Sequence, residues 1–235
     1  MIISEISYFT STCQRKNNED FCSYLEQDAI VLCDGVGGQD NGELASKLLV
    51  NIIEDELMSV KFNSINFFIN VLNSYRDQSI LFKNYHNMAT TLTFSILQNN
   101  EIFVAWCGDS RIYHIRDGNI IFQTEDHTWI NDAIKSGIIT FEESINHPKK
   151  NIITKAIVSD SDPSFIDFKI IDDIQNDDFI LHCSDGVLES WSNQNLTELF
   201  HNYFNTDKNI DLIRAKCEQN SSDNSTAILY KINLT

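Results

Sequence analysis

Five short acidic motifs run along this chain: Arg15-Lys-Asn-Asn-Glu19-Asp20, Asp34-Gly35-Val36-Gly37-Gly38, Gly108-Asp109-Ser110-Arg111, Ser184-Asp185-Gly186 and Asp223-Asn224. Each sets an Asp, or an Asp with a Glu, beside Gly, Asn or Ser, and most follow an apolar run that reads as a strand. Strand ends are where a fold gathers groups that are distant in sequence. Gathered together, Glu19, Asp20, Asp34, Asp109, Asp185 and Asp223 would repel one another strongly and would need cations. The chemistry this points to is a hard-metal site with oxygen ligands. Taken alone, any one motif reads equally well as a turn, where Asp is common.

The elements that must position these groups are readable in outline. Ala29-Ile-Val-Leu-Cys33 is a buried strand ended by Asp34-Gly35. Leu44, Ala45, Leu48, Leu49, Ile52, Ile53 and Leu57 recur at helical spacing over 42–58, and a second helix is expected over 65–82. Strands follow at 90–97, 102–107, 111–115 and 119–123. Their links, Asn99-Asn100 and Asp117-Gly118, are short enough to require antiparallel pairing, and the latter is a strong hairpin signal. Residues 132–151 predict short helices with a loop at His147-Pro148. Strands at 165–171 and 179–183, helices near 194–204 and 210–219, and a last strand at 226–232 complete the reading. A mixed layered fold with antiparallel sheets fits best.

With 235 residues, 42% of them hydrophobic, the chain can bury a sizeable core, and its two prolines and lack of a Gly/Ser-rich linker favour one domain over 1–235. A formal net charge of -17 disfavours nucleic acid and anionic membranes as partners. The six cysteines form no C-x-x-C pair, which gives zinc little support. The start Met-Ile-Ile-Ser-Glu does not read as a secretory leader and no apolar run is long enough to span a bilayer, so a reduced, cytoplasmic setting is expected.

In number, order and spacing, the motifs resemble those of the metal-dependent Ser/Thr protein phosphatases of type 2C, in their compact bacterial form. The resemblance covers nearly the whole chain. Besides the acidic motifs it takes in Thr90-Thr91, Ile112-Tyr113, Asp126-His127 and Thr226, and a flap-like stretch from Gly137 through His147-Pro148 to Ala156. It implies an α+β sandwich of two antiparallel sheets flanked by helices on both faces. It also implies hydrolysis of phosphoserine and phosphothreonine in proteins by direct attack of metal-activated water, without a phosphoenzyme. Two nearby divalent ions suit this chemistry, because they lower the pKa of a bridging water and act as Lewis acids.

By this resemblance Asp34 bridges two Mn or Mg ions. Glu19 and the Gly35 carbonyl hold one, Asp185 and Asp223 the other, and Asp109 with Asp185 offers a third, weaker site. Asp20 orients metal-bound water from behind. Arg15 is the expected phosphate clamp, since a guanidinium binds phosphate through two parallel hydrogen bonds. Phosphorylated proteins, among them a cognate Ser/Thr kinase and its targets, are the implied partners. The alternative is a pseudophosphatase that binds phosphoproteins without turnover; a metal-dependent nuclease conflicts with the charge.

The chain departs from the family pattern at Val36, where many animal members carry a His, and at Gln39 and Ala89; none of these removes a ligand. His127 reads as structural. His86, His114, His147, His182 and His201 have no ligand-like spacing, and Asp77, Asp117, Asp177 and Asp178 read as solvated charge. Lys149-Lys150, within a flap at about 128–161, is a basic spot that would meet an acidic substrate segment.

Overall fold

The structure is a computed structural model that describes residues 2–25, 28–36, 41–59, 62–145 and 147–234, except for the side chain of Ile65. Gly37, Gly38 and Gln39 lie outside the described residues. The first sheet runs β1 (Ile2–Ser11), β11 (Ser225–Asn233), β10 (Phe179–Cys183), β7 (Arg111–Arg116) and β8 (Asn119–Gln123). The second runs β2 (Asp20–Leu25), β3 (Ala29–Val36), β5 (Leu92–Gln98), β6 (Glu101–Cys107) and β9 (Asp167–Ile171), with the short β4 (Ala89–Thr90) beside β3. Every strand pair is antiparallel. Two of the links are the predicted tight turns. Asn99 and Asn100 both take positive φ between β5 and β6, and Asp117 and Gly118 do so between β7 and β8, the backbone twist that joins strands in two residues.

Helices α1 (Gly42–Ser59) and α2 (Ser64–Ser79) cover the outer face of the second sheet, burying Leu49, Ile53, Leu57, Phe67, Val71 and Tyr75 against Val31, Cys33 and Phe94. Helices α5 (Asp185–Ser190), α6 (Asn193–Asn202) and α7 (Thr206–Asn220) cover the first sheet through Val187, Leu196, Phe200, Ile210 and Ile213. Between the sheets lie Ile30, Val104, Ile180, Ile228 and Tyr230. Because each central strand is covered on both faces, β3 and β10 read as unbroken apolar runs rather than alternating ones. The result is the expected four-layer sandwich. The remaining helices, α3 (Trp129–Lys135) and α4 (Phe141–Ser144), lie in the segment between β8 and β9.

Several local expectations change. The run 90–97 is broken at Thr91, whose N–H donates to the Asp34 carbonyl at 2.8 Å, so the chain forms β4 and β5 rather than one strand. The start of 165–171 is a 3-10 turn, Pro163–Phe165, before β9 begins. Asp178 is not solvated: it is fully buried, accepts from Arg116 through both oxygens at 2.8 and 2.7 Å, and sits 2.8 Å from His114 Nε2. Although burial opposes its charge, these hydrogen bonds hold its carboxyl down at about 2. Asp178→Ala should cost about 2 kcal/mol, since His114 and the Gln175 N–H lose their buried acceptor while Arg116 keeps Asp173. Chemical denaturation of the variant measures this, and a loss below about 1 kcal/mol would contradict it.

Candidate active site

The site lies where the two sheets end side by side. A cavity of about 330 Å³ is lined by Arg15, Glu19, Asp34, Gly35, Val36, Asp109, Ile153, Asp185, Asp223 and Asn224, together with Lys16 and Asn17. The predicted residues therefore converge, with Asp20 set just behind: it faces Asp34 in the β2–β3 register and is 6% exposed. Backbone proximity makes the convergence geometric. A Cβ on Gly35 would stand 2.3 Å from the backbone of Gly42, so β3 and the start of α1 touch only because both residues are glycine. A Cβ on Gly186 would stand 2.0 Å from the Asn224 carbonyl oxygen, so the same device joins α5 to the entry of β11. Gly35 thus permits close approach of protein backbone, beyond the approach to an ion expected from sequence.

Neutral hydrogen bonds hold the charged groups from behind. The Asp34 N–H donates to Thr91 Oγ1 at 2.9 Å, the Thr90 hydroxyl donates to the Asp34 carbonyl at 2.9 Å, and Thr91 Oγ1 lies 2.8 Å from Ser110 Oγ. Ser184 Oγ donates to Asp20 Oδ2 at 2.8 Å. Asn224 accepts from the Glu19 N–H at 2.8 Å and donates to the Asn17 carbonyl at 2.8 Å, tying the Arg15 loop to Asp223. Gly108 N–H donates to His127 Nδ1 at 3.1 Å, which leaves Nε2–H to donate to Asp167 Oδ2 at 3.1 Å. His127 is therefore the structural clip of the Asp109 turn. Arg111 grips Asp126 through two bonds at 2.6 and 2.7 Å.

The carboxylates are electrostatically overloaded. Burial, then the charges of Asp20, Asp185, Asp109 and Asp223, pushes Asp34 well above the usual carboxylate range. Burial pushes Asp20 and Asp109 up to about 7, and burial with Asp223 pushes Asp185 up to about 6. Asp20 Oδ1 and Asp109 Oδ1 are buried with no hydrogen-bond partner. Unpaired buried oxygens in an all-oxygen donor set fit a hard divalent cation. Among the described residues, no group of three or more His, Cys, Asp or Glu is arranged to hold an ion by itself.

Arg15 differs from a free clamp: one of its terminal nitrogens donates to Asp223 Oδ2 at 2.7 Å, while 52% of its side chain is exposed. Lys149 is exposed, with its ammonium 4.5 Å from the Trp129 ring centre. Lys150 instead lines an adjoining cavity with Asp109, Arg111, Asp126 and Asp185. Sequence reasoning gave no role to Thr91, Ser184 or Asn224, although all stand in the motifs. Ile153 stood in the flap-like stretch without a role of its own: it reaches the cavity because the chain after α4 returns to pair Thr128 with Ile153.

A family profile described as "Protein phosphatase 2C" matches residues 5–133. The protein phosphatase PhpP of Streptococcus pneumoniae is 29% identical over 242 residues, covering 97% of this chain and 98% of that protein. The crystal structure of the serine/threonine phosphatase Stp1 from Staphylococcus aureus superposes with a TM-score of 0.86 at 28% identity, covering 99% and 96% of the two chains. The catalytic domain of the serine threonine protein phosphatase PstP, in complex with two manganese ions, has a TM-score of 0.80 at 22% identity, covering 97% of each chain.

The charge cluster has a consequence for stability. A carboxyl raised on folding stabilises fully below its unfolded pKa, near 4, and loses that contribution as pH rises through its folded value. For Asp185, Asp20 and Asp109 the loss runs up to about 6–7. In chelator, the melting temperature should fall from pH 5 to pH 7.5, and Asp109→Asn should flatten that slope. A metal-free melting temperature that rises over this range, or a slope unmoved by Asp109→Asn, would contradict the assignment.

Proposed function

The chain belongs to the protein phosphatase 2C family, and we propose that it hydrolyses phosphoserine and phosphothreonine esters in proteins with the help of Mn or Mg ions held at the described cavity. The observation that carries this reading is one cavity lined by Asp34, Asp109, Asp185 and Asp223 with Arg15 at the same wall. Carboxylates alone would make a cation site; the guanidinium adds an anchor for phosphoryl oxygens.

In this reading Asp34 would be shared between two ions, with Glu19 and the Gly35 carbonyl holding one, Asp185 and Asp223 the other, and Asp109 a third, weaker one. When bound, such ions supply Lewis acidity and lower the pKa of water. The chain's own groups do the rest. Arg15 swings from Asp223 to the phosphoryl oxygens, which its half-exposed side chain permits. Asp20, fixed by Ser184, would use its unpaired Oδ1 to orient water held beside Asp34. Val36 lines the cavity but has no proton to give, so the leaving alkoxide takes its proton from water there. Ile153 and Val36 form an apolar wall against the substrate's side chain.

We take residues 1–235 as one phosphatase domain with 128–161 as a flap at its mouth. We place it in the cytoplasm, in signalling opposite a Ser/Thr kinase whose targets are its substrates. Among the described residues no helix is long and apolar enough to cross a membrane. The pseudophosphatase alternative requires a missing ligand, and each proposed ligand is present in the sequence.

Purified protein should release phosphate from a phosphothreonine peptide with Mn, and chelator should stop it. Asp34→Asn should lower kcat on the order of 10^3-fold, since it weakens the bridging position. Arg15→Ala should lower kcat/KM by about 10- to 100-fold, the weight of a charged hydrogen bond to phosphate. No metal-dependent turnover, or full activity in Asp34→Asn, would refute the reading.

A further inference from the structure

Four polar side chains sit in the middle of the sandwich, where apolar ones would be expected. Thr93 and Ser95 on β5, His182 on β10 and Tyr230 on β11 are all essentially unexposed. The hydrogens follow once the Thr93 hydroxyl is given to the Leu32 carbonyl. Thr93 has one hydroxyl hydrogen, and it goes to the Leu32 carbonyl at 3.2 Å. Thr93 Oγ1, 3.0 Å from His182 Nδ1, must therefore accept, so Nδ1 carries a hydrogen. The ring is buried away from any carboxylate partner and burial drives its pKa down to about 3, so it is neutral and Nε2 is bare. The Ser95 hydroxyl, 2.9 Å from Nε2, must donate to it. Ser95 Oγ then accepts from the Tyr230 hydroxyl at 2.9 Å. One directed chain thus runs from Tyr230 through Ser95, His182 and Thr93 to the backbone of β3, crossing between the two sheets three times.

This chain sits just behind the cavity. Leu32 precedes Asp34 on β3 by two residues, His182 precedes Asp185 by three, and β11, which carries Tyr230, begins just after Asp223-Asn224. Around it Ile30, Val104, Ile180 and Ile228 pack apolar side chains between the sheets, while the Ser184–Asp20 bond lies at the cavity end. Apolar burial is non-directional and resists sliding weakly, whereas hydrogen bonds fix distance and angle. Buried polar chains are known to specify one arrangement of packed elements in this way.

We propose that His182, locked as the Nδ1–H tautomer, is a positioning residue that sets the offset of β3 against β10, and so the spacing of Asp34 from Asp185 and Asp223. The proposal rests on the phosphatase reading only in naming those carboxylates as metal ligands.

The test is Mn binding by calorimetry, with the imidazole tautomer read from nitrogen NMR. His182→Leu should weaken Mn binding about 10-fold or more, the range seen when groups that orient ligands are removed. His182→Gln, whose amide can donate to Thr93 and accept from Ser95, should restore it to within about 3-fold. Ser95→Ala, a smaller change, should weaken binding in the same direction and decides the matter if His182→Leu does not fold. A merely structural role would lower the melting temperature and leave Mn affinity alone; that result overturns the proposal. So does an Nε2–H tautomer, or a ring that titrates between pH 5 and 8 in the parent. If Mn binding follows the prediction but no variant or parent cleaves a phosphopeptide, positioning stands and the phosphatase reading falls. If cleavage is normal and His182→Leu binds Mn like the parent, the reverse holds.

Discussion

Like charges held together out of water set the terms for the rest of this molecule. Asp34, Asp109, Asp185 and Asp223 surround one cavity, and Asp20 stands behind them. At separations of a few ångströms their repulsion grows as the surroundings become less water-like, and burial adds its own penalty. No local sequence preference would assemble such a group. It is assembled by strands whose positions are fixed elsewhere, by Leu49, Ile53 and Tyr75 on one outer face and Val187, Leu196 and Phe200 on the other.

The arrangement works through a division of labour among polar groups. Hydroxyls and amides with no net charge hold the carboxylate loops: Thr90, Thr91 and Asn224 bond their backbone and Ser184 bonds the Asp20 carboxylate. Arginines away from the cavity are each engaged: Arg111 with Asp126, Arg116 with Asp178 and Asp173. Arg15 is the arginine at the cavity wall, and its bond to Asp223 ties the proposed phosphate anchor to one of the carboxylates. The directional chain through His182 extends the same logic inward, from loop geometry to the stacking of the sheets.

Much of this was legible in the sequence, for physical reasons. β3 and α1 announce themselves because burial on both faces or on one stripe imposes a pattern, and the Asn99-Asn100 and Asp117-Gly118 turns require residues that tolerate positive φ. The motif carboxylates were legible because their neighbours, glycine above all, are dictated by contact: Gly35 with Gly42 and Gly186 with Asn224. β1 and β2 escaped because their exposure is mixed along their length and no apolar pattern survives. α5, only six residues long, was hidden inside a ligand motif. Asp178 looked solvated because its partners, Arg116 and His114, are more than sixty residues away. The ring of Thr93, Ser95, His182 and Tyr230 looked incidental because no spacing along one strand reports a hydrogen bond between two sheets.

The central claim is that the clustered carboxylates are a metal site kept under charge strain by the fold. Calorimetric titration with Mn near pH 6, repeated in buffers of different ionisation enthalpy, tests it most directly, because it counts the protons that leave as metal binds. The account predicts binding with net proton release, diminished in Asp109→Asn. Binding without proton exchange, or no binding at all, would contradict it.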